Sequence, residues 1–363
     1  MKTLSGKHAD PRRKRGAGIN PDGRFETVAR EAFDDGWHAP PDDELPPLKT
    51  HVTAEQVSSI ISRNDSPDVP FTQSINPYQG CEHGCVYCYA RPTHAYRNLS
   101  PGIDFETRLF AKVNAAEKLR EELSHPGYRC EVISIGANTD PYQPIEREWR
   151  ITRGILEVCA EFNQPVGIVT KNAMVERDLD LLTPMARKGL ANVFISVNNL
   201  DHELARRMEP RCSAPARRLQ AMRTISGAGV PVGVLCAPVI PFLNDHQIES
   251  VLEAAWEHGA RQAGYVLMRL PWEVKDLFKD WLERHYPLKA KHVMSRIHAM
   301  RGGRDNDPAF GSRMRGTGEL AELLAQRFKK ACKRLGFNAD PRNGSLDTTQ
   351  FRAPANSGQL PLF

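Results

Sequence analysis

Three cysteines, Cys81, Cys85 and Cys88, lie close enough together in the sequence to bind one metal centre. They form a C-x3-C-x2-C pattern, and Gly80 and Gly84 allow the backbone conformations that a loop around an inorganic cluster requires. Three thiolates on a four-iron cluster leave one iron without a protein ligand, and a small molecule can bind there. The pattern therefore predicts an iron–sulfur centre with an open coordination position.

A structural zinc site is the alternative, because zinc also binds clustered cysteines and His83 or His94 could supply a fourth ligand. Zinc sites usually contain two pairs of ligands about 12–20 residues apart. The other cysteines are scattered singly: Cys130, Cys159, Cys212, Cys236 and Cys332. A ferredoxin pattern would need two-residue spacings and a fourth cysteine before proline. The spacing favours an iron–sulfur cluster over zinc.

Composition indicates a folded protein of a reducing compartment. The 363 residues are 40% hydrophobic, enough for a sizeable core, and no apolar run is long enough to span a bilayer or resembles a secretory segment. Eight cysteines without paired spacing favour the cytoplasm. The net charge of +5 is uneven, because residues 289–363 contain 14 Lys and Arg against 6 Asp and Glu. This basic surplus would suit a phosphate-bearing partner, and a solvated surface is the alternative.

Strands and helices are predicted to alternate after residue 70. Short apolar runs indicate strands at 71–76, 132–135, 166–170, 193–197, 230–237 and 263–268. Amphipathic patterns indicate helices at 105–123, 152–162, 175–188, 215–228 and 246–258. Repeated strand–helix units form a parallel sheet with helices outside, so the fold class is α/β. Ligands in such folds bind at the carboxyl ends of the strands.

The cysteine pattern resembles the signature of the radical S-adenosylmethionine (radical SAM) family without a gap or substitution. The segments 138–146, 208–211 and 238–245 are similar to the branch related to spore photoproduct lyase, often called DNA repair photolyase-like. The resemblance covers residues 71–300. It implies a partial (β/α)6 barrel in which a 4Fe-4S cluster reductively cleaves S-adenosyl-L-methionine (SAM) to form a 5′-deoxyadenosyl radical.

The resemblance also implies which residues contact SAM. Tyr87 precedes the third cysteine, where the family contacts adenine, and the strand end at 134–137 is where it binds the methionine amino group. The predicted cofactor-binding residues are Tyr87, Ser134, Gly136, Asn138, Asp140, Ser196 and Arg211. Some relatives return a hydrogen atom from a cysteine, which makes Cys130 a candidate hydrogen donor, with ordinary core packing as the alternative.

Three further segments flank the predicted 71–300 core. Polar and charged composition predicts a flexible, loosely packed N-terminal extension over 1–70 and a basic helical extension over 301–339. Residues 340–363 form a predicted flexible tail. Its last residues, Gln359, Leu360, Pro361, Leu362 and Phe363, resemble the peptide that binds the bacterial DNA polymerase sliding clamp, with Pro361 as the departure.

Together these features indicate a radical SAM enzyme, lyase-like, that acts on DNA or another nucleic acid and needs an electron donor such as flavodoxin or ferredoxin. Two alternatives stay open. The same enzyme could act on a protein or a small metabolite. The chain could also be a non-catalytic, metal-stabilised adaptor bound to the sliding clamp.

Overall fold

The computed structural model describes residues 15–26, 48–340 and 345–353. Its strands are β1 (His51–Glu55), β2 (Ile61–Arg63), β3 (Gln73–Ile75), β4 (Tyr78–Gln79), β5 (Arg108–Lys112), β6 (Ile133–Ile135), β7 (Val166–Thr170), β8 (Ala191–Ser196), β9 (Val232–Val239) and β10 (Gln262–Leu267). The main sheet has the order β10-β9-β8-β7-β6-β3-β2. All its neighbours pair in parallel except β2, which pairs antiparallel with β3. The six parallel strands confirm the predicted α/β class and partial barrel.

Helices follow the parallel strands and cover the outside of the sheet. They are α1 (Asp104–Thr107), α2 (Ala115–Ser124), α3 (Glu146–Trp149), α4 (Ile151–Glu161), α5 (Leu179–Arg187), α6 (His202–Met208), α7 (Pro215–Gly227), α8 (Ile248–Glu257), α9 (Val274–His285), α10 (Pro287–Ala299), α11 (Ser312–Arg315) and α12 (Glu319–Leu335). The central strands are buried on both faces, which explains their nearly continuous apolar sequences. No helix within the described residues has the length and apolar character to cross a membrane.

The helix predicted over 105–123 is wrong in its first half. Residues Arg108–Lys112 form β5, which pairs in parallel with β1 and antiparallel with β4 in a second, three-stranded sheet. Leu109 and Ala111 alternate inward on this strand, and only α2 keeps the helical pattern. The misreading arises because hydrophobic residues three or four apart also occur where a short strand meets a helix.

The two edges of the main sheet, β2 and β10, do not pair with each other. Side chains connect them instead: Asp68, in the loop after β2, accepts a hydrogen bond from Gly311 N at 2.7 Å and forms an ion pair with Arg313. Arg301 holds the same segment against β10, because it donates to the carbonyl oxygens of Met268 at 2.7 Å and Ser312 at 2.9 Å. The barrel is therefore open in its backbone and bridged by side chains.

The N-terminal segment, residues 15–26, packs on the cysteine loop, and residues 1–14 and 27–47 of the extension predicted over 1–70 lie outside the described part of the chain. Gly16 N and Ala17 N donate to the two carboxylate oxygens of Glu106 at 2.9 and 2.8 Å. The same carboxylate forms a fully buried ion pair with Arg91. Arg15 is buried and donates to Glu106 O at 2.7 Å. Composition did not indicate this packing because the partner lies about ninety residues away in the sequence.

Substituting alanine for Gly16 is expected to displace this segment. A Cβ atom at Gly16 would lie 1.6 Å from the carbonyl oxygen of Gly84, which is backbone and cannot move aside cheaply. Such overpacking should lower the free energy of unfolding by about 1–3 kcal/mol and expose the segment to protease. Denaturant unfolding and limited proteolysis measure both effects. Gly227→Ala is the control, because a Cβ atom at Gly227 would have no neighbour within 4 Å; equal losses in both variants would contradict the prediction.

Candidate functional site

The three cysteines of the motif lie on the loop that follows β3, at the carboxyl edge of the sheet. All three are free thiols; Cys81 and Cys85 are buried, and Cys88 is half-buried. Burial raises the pKa of Cys88 to about 12, and the proximity of Cys85 and Cys81 adds to the rise. Gly80 lies at φ 79°, where a Cβ atom would be 2.5 Å from a Leu109 methyl group. The loop therefore needs glycine there in order to bring the thiols together.

His83, which is buried within the cysteine loop, pairs with Asp140 from the loop after β6. His83 Nδ1 lies 3.2 Å from Asp140 Oδ2, and Asp140 also accepts from Thr170 Oγ1 at 2.7 Å and Lys171 N at 2.8 Å. Burial opposes charge on His83, but Asp140 and Cys81 raise its pKa well above the ordinary value. Burial likewise opposes charge on Asp140, and His83 brings its pKa to about 2. Predicted as a cofactor contact, Asp140 connects the cysteine loop to β7.

A second buried network surrounds Tyr87. Its hydroxyl donates to Glu209, which also forms a buried ion pair with Arg218 and accepts from Asn198 Nδ2 at 3.3 Å. Burial disfavours the charged form of Glu209, yet Arg218 and Lys171 hold its pKa below the usual value. Arg218 also donates to Ser196 O at 3.0 Å. The predicted residues Tyr87 and Ser196 are thus brought together at the ends of the cysteine loop and β8.

Lys171 is the functional candidate that sequence reasoning missed. It follows β7 directly, and its ammonium lies 6.0 Å from the centre of the Tyr87 ring. Burial opposes its charge, but the nearby Cys85, Glu209 and Cys212 raise its pKa. It forms no ion pair with another described residue. Its position just after a predicted strand was the signal that could have identified it, because ligands bind at such strand ends.

The other predicted contacts line the ends of the neighbouring strands. Ser134 is buried within β6. Gly136 lies at φ 97°, and a Cβ atom there would be 2.5 Å from Val169 O, so the close approach requires glycine. Asn138 N donates to Asn76 Oδ1 at 2.7 Å. The role of these residues as SAM contacts stays a prediction.

Arg211 lies beside the cysteine loop. Its guanidinium pairs with Glu82 Oε1 at 2.9 Å, and its backbone N–H donates to His83 O at 3.3 Å. The contact of Arg211 with SAM likewise stays a prediction.

Cys130, the predicted hydrogen donor, lies at the edge of the sheet opposite the cysteine loop, and its role stays a prediction. It precedes β6, its thiol lies 3.6 Å from Gln164 Oε1, and burial together with Glu131 raises its pKa to about 11. The cysteine loop follows the carboxyl ends of the strands, whereas Cys130 lies before an amino end. The cysteine found near the motif is Cys212, whose sulfur is 3.7 Å from that of Cys85. Nothing in its local sequence pointed to that contact.

His94, a candidate zinc ligand in the alternative interpretation, belongs to the packing around the loop. Its Nε2 lies 2.9 Å from Arg108 O, so this nitrogen is the protonated donor, and its ring meets Phe105 edge-on at 5.2 Å. Its Nδ1 has no hydrogen-bond partner among the described residues. Burial lowers the pKa of His94 to about 4. The ring is therefore held neutral.

This burial predicts a specific loss of stability in acid. The unfolded histidine titrates near pH 6.5 and the folded one near 4, so protonation favours the unfolded chain between these values. The contribution is complete above pH 6.5 and is lost as the pH falls towards 4, at up to about 1.4 kcal/mol per pH unit. Urea unfolding at several pH values gives the dependence of the free energy of unfolding on pH. This dependence should be weaker between pH 6.5 and 4 for His94→Gln than for wild type, whereas the exposed His202→Gln should match wild type. An unchanged pH dependence in His94→Gln would contradict the assignment.

The donors and charges around the loop suit an iron–sulfur cluster. A cluster held by three thiolates is anionic, and the half-buried Lys171 and the buried His83 lie near Cys85 and Cys81 as positive charges. Among the residues with described placement, no three His, Cys, Asp or Glu side chains are arranged to hold a single metal ion. A cluster attaches each thiolate to a different iron and so accepts a wider spacing. The thiols and their counter-charges thus fit the predicted group.

The basic C-terminal helix is partly neutralised. Arg327 forms a two-point ion pair with Glu249, at 2.9 and 2.6 Å, and Arg334 pairs with Glu253 at 2.5 Å. These contacts hold α12 against α8. The C-terminal residues 359–363 lie outside the described part of the chain, so the predicted clamp peptide has no structural account.

Comparison with known proteins agrees with this geometry. Residues 75–255 match the sequence model of the radical SAM superfamily. An uncharacterized protein of Mycobacterium tuberculosis is 36% identical over 241 residues, which cover 65% of this chain and 71% of that protein. An uncharacterized protein of Methanocaldococcus jannaschii is 27% identical over 213 residues, covering 59% of this chain and 76% of that protein.

The fold is similar to that of spore photoproduct lyase complexed with dinucleoside spore photoproduct. The TM-score is 0.58, with 79% of this chain and 80% of that chain covered. Sequence identity over the match is 16%, so this likeness concerns the fold. A variant of the same lyase has been solved with bound AdoMet and dinucleoside spore photoproduct, with a TM-score of 0.56.

Proposed function

Because the chain belongs to the radical SAM superfamily, we propose that it is an enzyme that reductively cleaves SAM, with a nucleic acid as its substrate. The observation that carries the proposal is the set of three free thiols on one loop at the carboxyl edge of the sheet, near the positive charges of Lys171 and His83. When bound, a 4Fe-4S cluster with an open iron would supply the electron that releases methionine and a 5′-deoxyadenosyl radical.

The residues of this chain would hold and orient the two cofactors. Cys81, Cys85 and Cys88 would bind the cluster. Lys171 would supply a half-buried positive charge for the carboxylate of SAM, and the Tyr87 ring would supply a flat surface for adenine. Radical chemistry needs exclusion of water more than it needs acid–base groups. The buried networks around Glu209 and Asp140 would therefore hold the cofactor-binding side chains in position and not transfer protons.

The choice of a nucleic acid is supported by the fold shared with spore photoproduct lyase and by the basic surplus after residue 289. All eight cysteines are free, which supports a reducing compartment such as the cytoplasm. The electron would come from a small donor protein such as flavodoxin or ferredoxin. A protein or small metabolite is the competing substrate class, and a zinc-stabilised adaptor is the competing non-enzyme.

Anaerobic reconstitution tests the proposal. We expect about four irons and four sulfides per chain, and 5′-deoxyadenosine formed from SAM with a chemical reductant. Zinc without turnover would establish the adaptor. Transfer of deuterium from labelled, damaged DNA into 5′-deoxyadenosine would support the nucleic acid substrate. Cleavage of SAM without such transfer from any DNA or RNA would favour a protein or a metabolite.

We further propose that the C-terminal peptide recruits the enzyme to the sliding clamp through Gln359, Leu360, Leu362 and Phe363. Its apolar side chains, which follow a polar segment, suit a hydrophobic groove on a partner. Deleting residues 359–363 should weaken binding to purified clamp at least tenfold by calorimetry. A Leu288→Ala variant, which truncates an exposed leucine of α10, should bind like wild type. Unchanged affinity after the deletion would rule out this role.

A further inference from the structure

Exposed and half-buried aromatic and cationic side chains gather beside the cysteine loop. We name this set the rim; it consists of Tyr89, Arg269, Trp272, Lys275 and Arg304. Tyr89 directly follows the third cysteine, and its hydroxyl donates to Ala137 O, just beyond β6. Arg269 and Trp272 follow β10, and the guanidinium of Arg269 lies 5.8 Å from the centre of the Tyr89 ring. The rim therefore borders the edge of the sheet that carries the thiols.

The two rings of the rim are unusually accessible. Trp272 is 59% exposed and Tyr89 is 51% exposed. Trp272 also has φ 46°, a left-handed conformation that a bulky residue adopts only where surrounding structure imposes it. The guanidinium of Arg24, from the N-terminal segment, lies 4.1 Å from the centre of the Trp272 ring. The fold thus holds a large apolar ring out towards solvent.

Among the described residues, no acidic side chain forms an ion pair with a cation of the rim. Arg269 Nε also has no hydrogen-bond partner there. Burial lowers the pKa of Arg269, and the nearby positive charge of Arg313 lowers it further. An anion placed beside Arg269 would relieve both effects. Phosphate and carboxylate groups match the planar donors of arginine.

A cleft of about 490 Å³ extends the rim. Trp272, Lys275 and Arg304 line it, together with Lys279, whose charge is matched by Asp305 at 2.8 Å. A second cleft, of about 450 Å³, lies at the other edge of the sheet and contains Cys130, Asp65 and Glu131 but no lysine or arginine. Of these two clefts, only the one that follows β10, at the carboxyl edge of the sheet, has the charge that attracts phosphates.

We propose that the rim binds a single-stranded segment of nucleic acid, with bases stacked on Trp272 and Tyr89 and phosphates held by Arg269, Lys275 and Arg304. The inference deepens the proposed function and rests on it, because it defines how a nucleic acid would meet the candidate site. Aromatic rings stack on any base, and cations follow the backbone. A duplex keeps its bases stacked on one another, so the exposed rings favour a single strand.

Fluorescence anisotropy of a labelled oligothymidine, titrated with reconstituted full-length protein, tests this proposal. Trp272→Ala should raise the dissociation constant about five- to a hundredfold, as expected for the loss of one stacking surface. Arg269→Gln and Lys275→Gln should weaken binding to all sequences. Each should also reduce the slope of log affinity against log salt by about 0.7, the contribution of one phosphate contact to a single strand.

Controls remove equivalent groups elsewhere. Arg261 covers the ring of Trp256 at 4.0 Å but precedes β10, at the opposite edge of the sheet, so Arg261→Gln should bind like wild type. The pair Lys329→Gln and Lys330→Gln removes exposed charge from α12. Loss of affinity in the α12 variant, with wild-type affinity in the rim variants, would overturn the proposal. Circular dichroism confirms folding, and Lys275→Gln, at a half-buried surface position, replaces any rim variant that fails to fold.

Two measurements on the wild-type protein separate this inference from the proposed function. If 5′-deoxyadenosine forms but oligothymidine does not bind, the proposed binding role of the rim would be contradicted and the proposed SAM cleavage would stand. If oligothymidine binding depends on the rim but no 5′-deoxyadenosine forms, the proposed SAM cleavage would be contradicted and the proposed binding role of the rim would stand. Equal affinity for a duplex of the same length would overturn the single-strand preference.

Discussion

Cys85→Ala is expected to lose the iron–sulfur cluster and all formation of 5′-deoxyadenosine. Cys85 is buried in the motif loop, and replacing one of three thiolates leaves a second iron without a protein ligand. Reconstituted iron should fall from about four per chain to less than one. Iron and sulfide analysis, visible absorbance and electron paramagnetic resonance measure the cluster independently of turnover. The same outcome is expected for Cys81→Ala and Cys88→Ala.

The neighbouring cysteine provides a matched control. Cys212 has its sulfur 3.7 Å from that of Cys85 but belongs to the loop after α6, outside the motif. Cys212→Ala should retain about four irons and bind SAM. A structural zinc site with four thiolates would lose its metal equally in the Cys85 and Cys212 variants. Equal loss would therefore contradict the cluster and favour the adaptor.

Lys171→Met is expected to weaken SAM binding about thirtyfold or more while the cluster still assembles. Breaking one partner of a buried charge pair costs about 2–5 kcal/mol, and a loss of ~2 kcal/mol corresponds to about thirtyfold. Lys171 is half-buried, its ammonium lies near the Tyr87 ring, and it forms no ion pair with a described residue, so a cofactor carboxylate would be its partner. Equilibrium dialysis with labelled SAM gives the dissociation constant without requiring turnover.

Charge and position are then separated by two further variants. Lys171→Arg keeps the positive charge and should recover part of the affinity. Lys188 lies in the loop before β8, away from the thiols, and donates to Asn163 Oδ1 at 2.9 Å. Lys188→Met should therefore leave SAM binding unchanged. A change of less than threefold in Lys171→Met, with normal iron content, would exclude Lys171 from the cofactor site.

The parallel strands could be predicted from the sequence because buried strands of a parallel sheet have short, nearly continuous apolar sequences. Val166–Thr170 reads as a continuous apolar strand and forms β7 with those bounds. The segment at Arg108–Lys112 was misread because its partners, β1 and β4, are set by tertiary contacts. The packing of the N-terminal segment was not evident from its composition, because the backbone N–H groups of Gly16 and Ala17 donate to the carboxylate of Glu106, which is distant in the sequence.

The candidate site likewise contains some residues that the sequence predicted and others that it did not. Local spacing predicted Cys81, Cys85 and Cys88, since one loop contains all three. Lys171 and Cys212 come from other loops and meet the motif only when the sheet brings strand ends together. Cys130 lies before the start of β6, as its place in the sequence indicates, and its role as a hydrogen donor stays a prediction.

The contact of Asp68 with Arg313 and Gly311 has a consequence for the size of ligand that the barrel admits. A closed barrel has a diameter determined by its strand number and stagger, and widening it would break backbone hydrogen bonds. Here the contacts of Asp68 with Arg313 and Gly311 join the loop after β2 to the segment beside β10. The opening between these two edges is therefore limited by side-chain contacts of Asp68 and Arg313, and no backbone hydrogen bond between β2 and β10 would have to break for it to change.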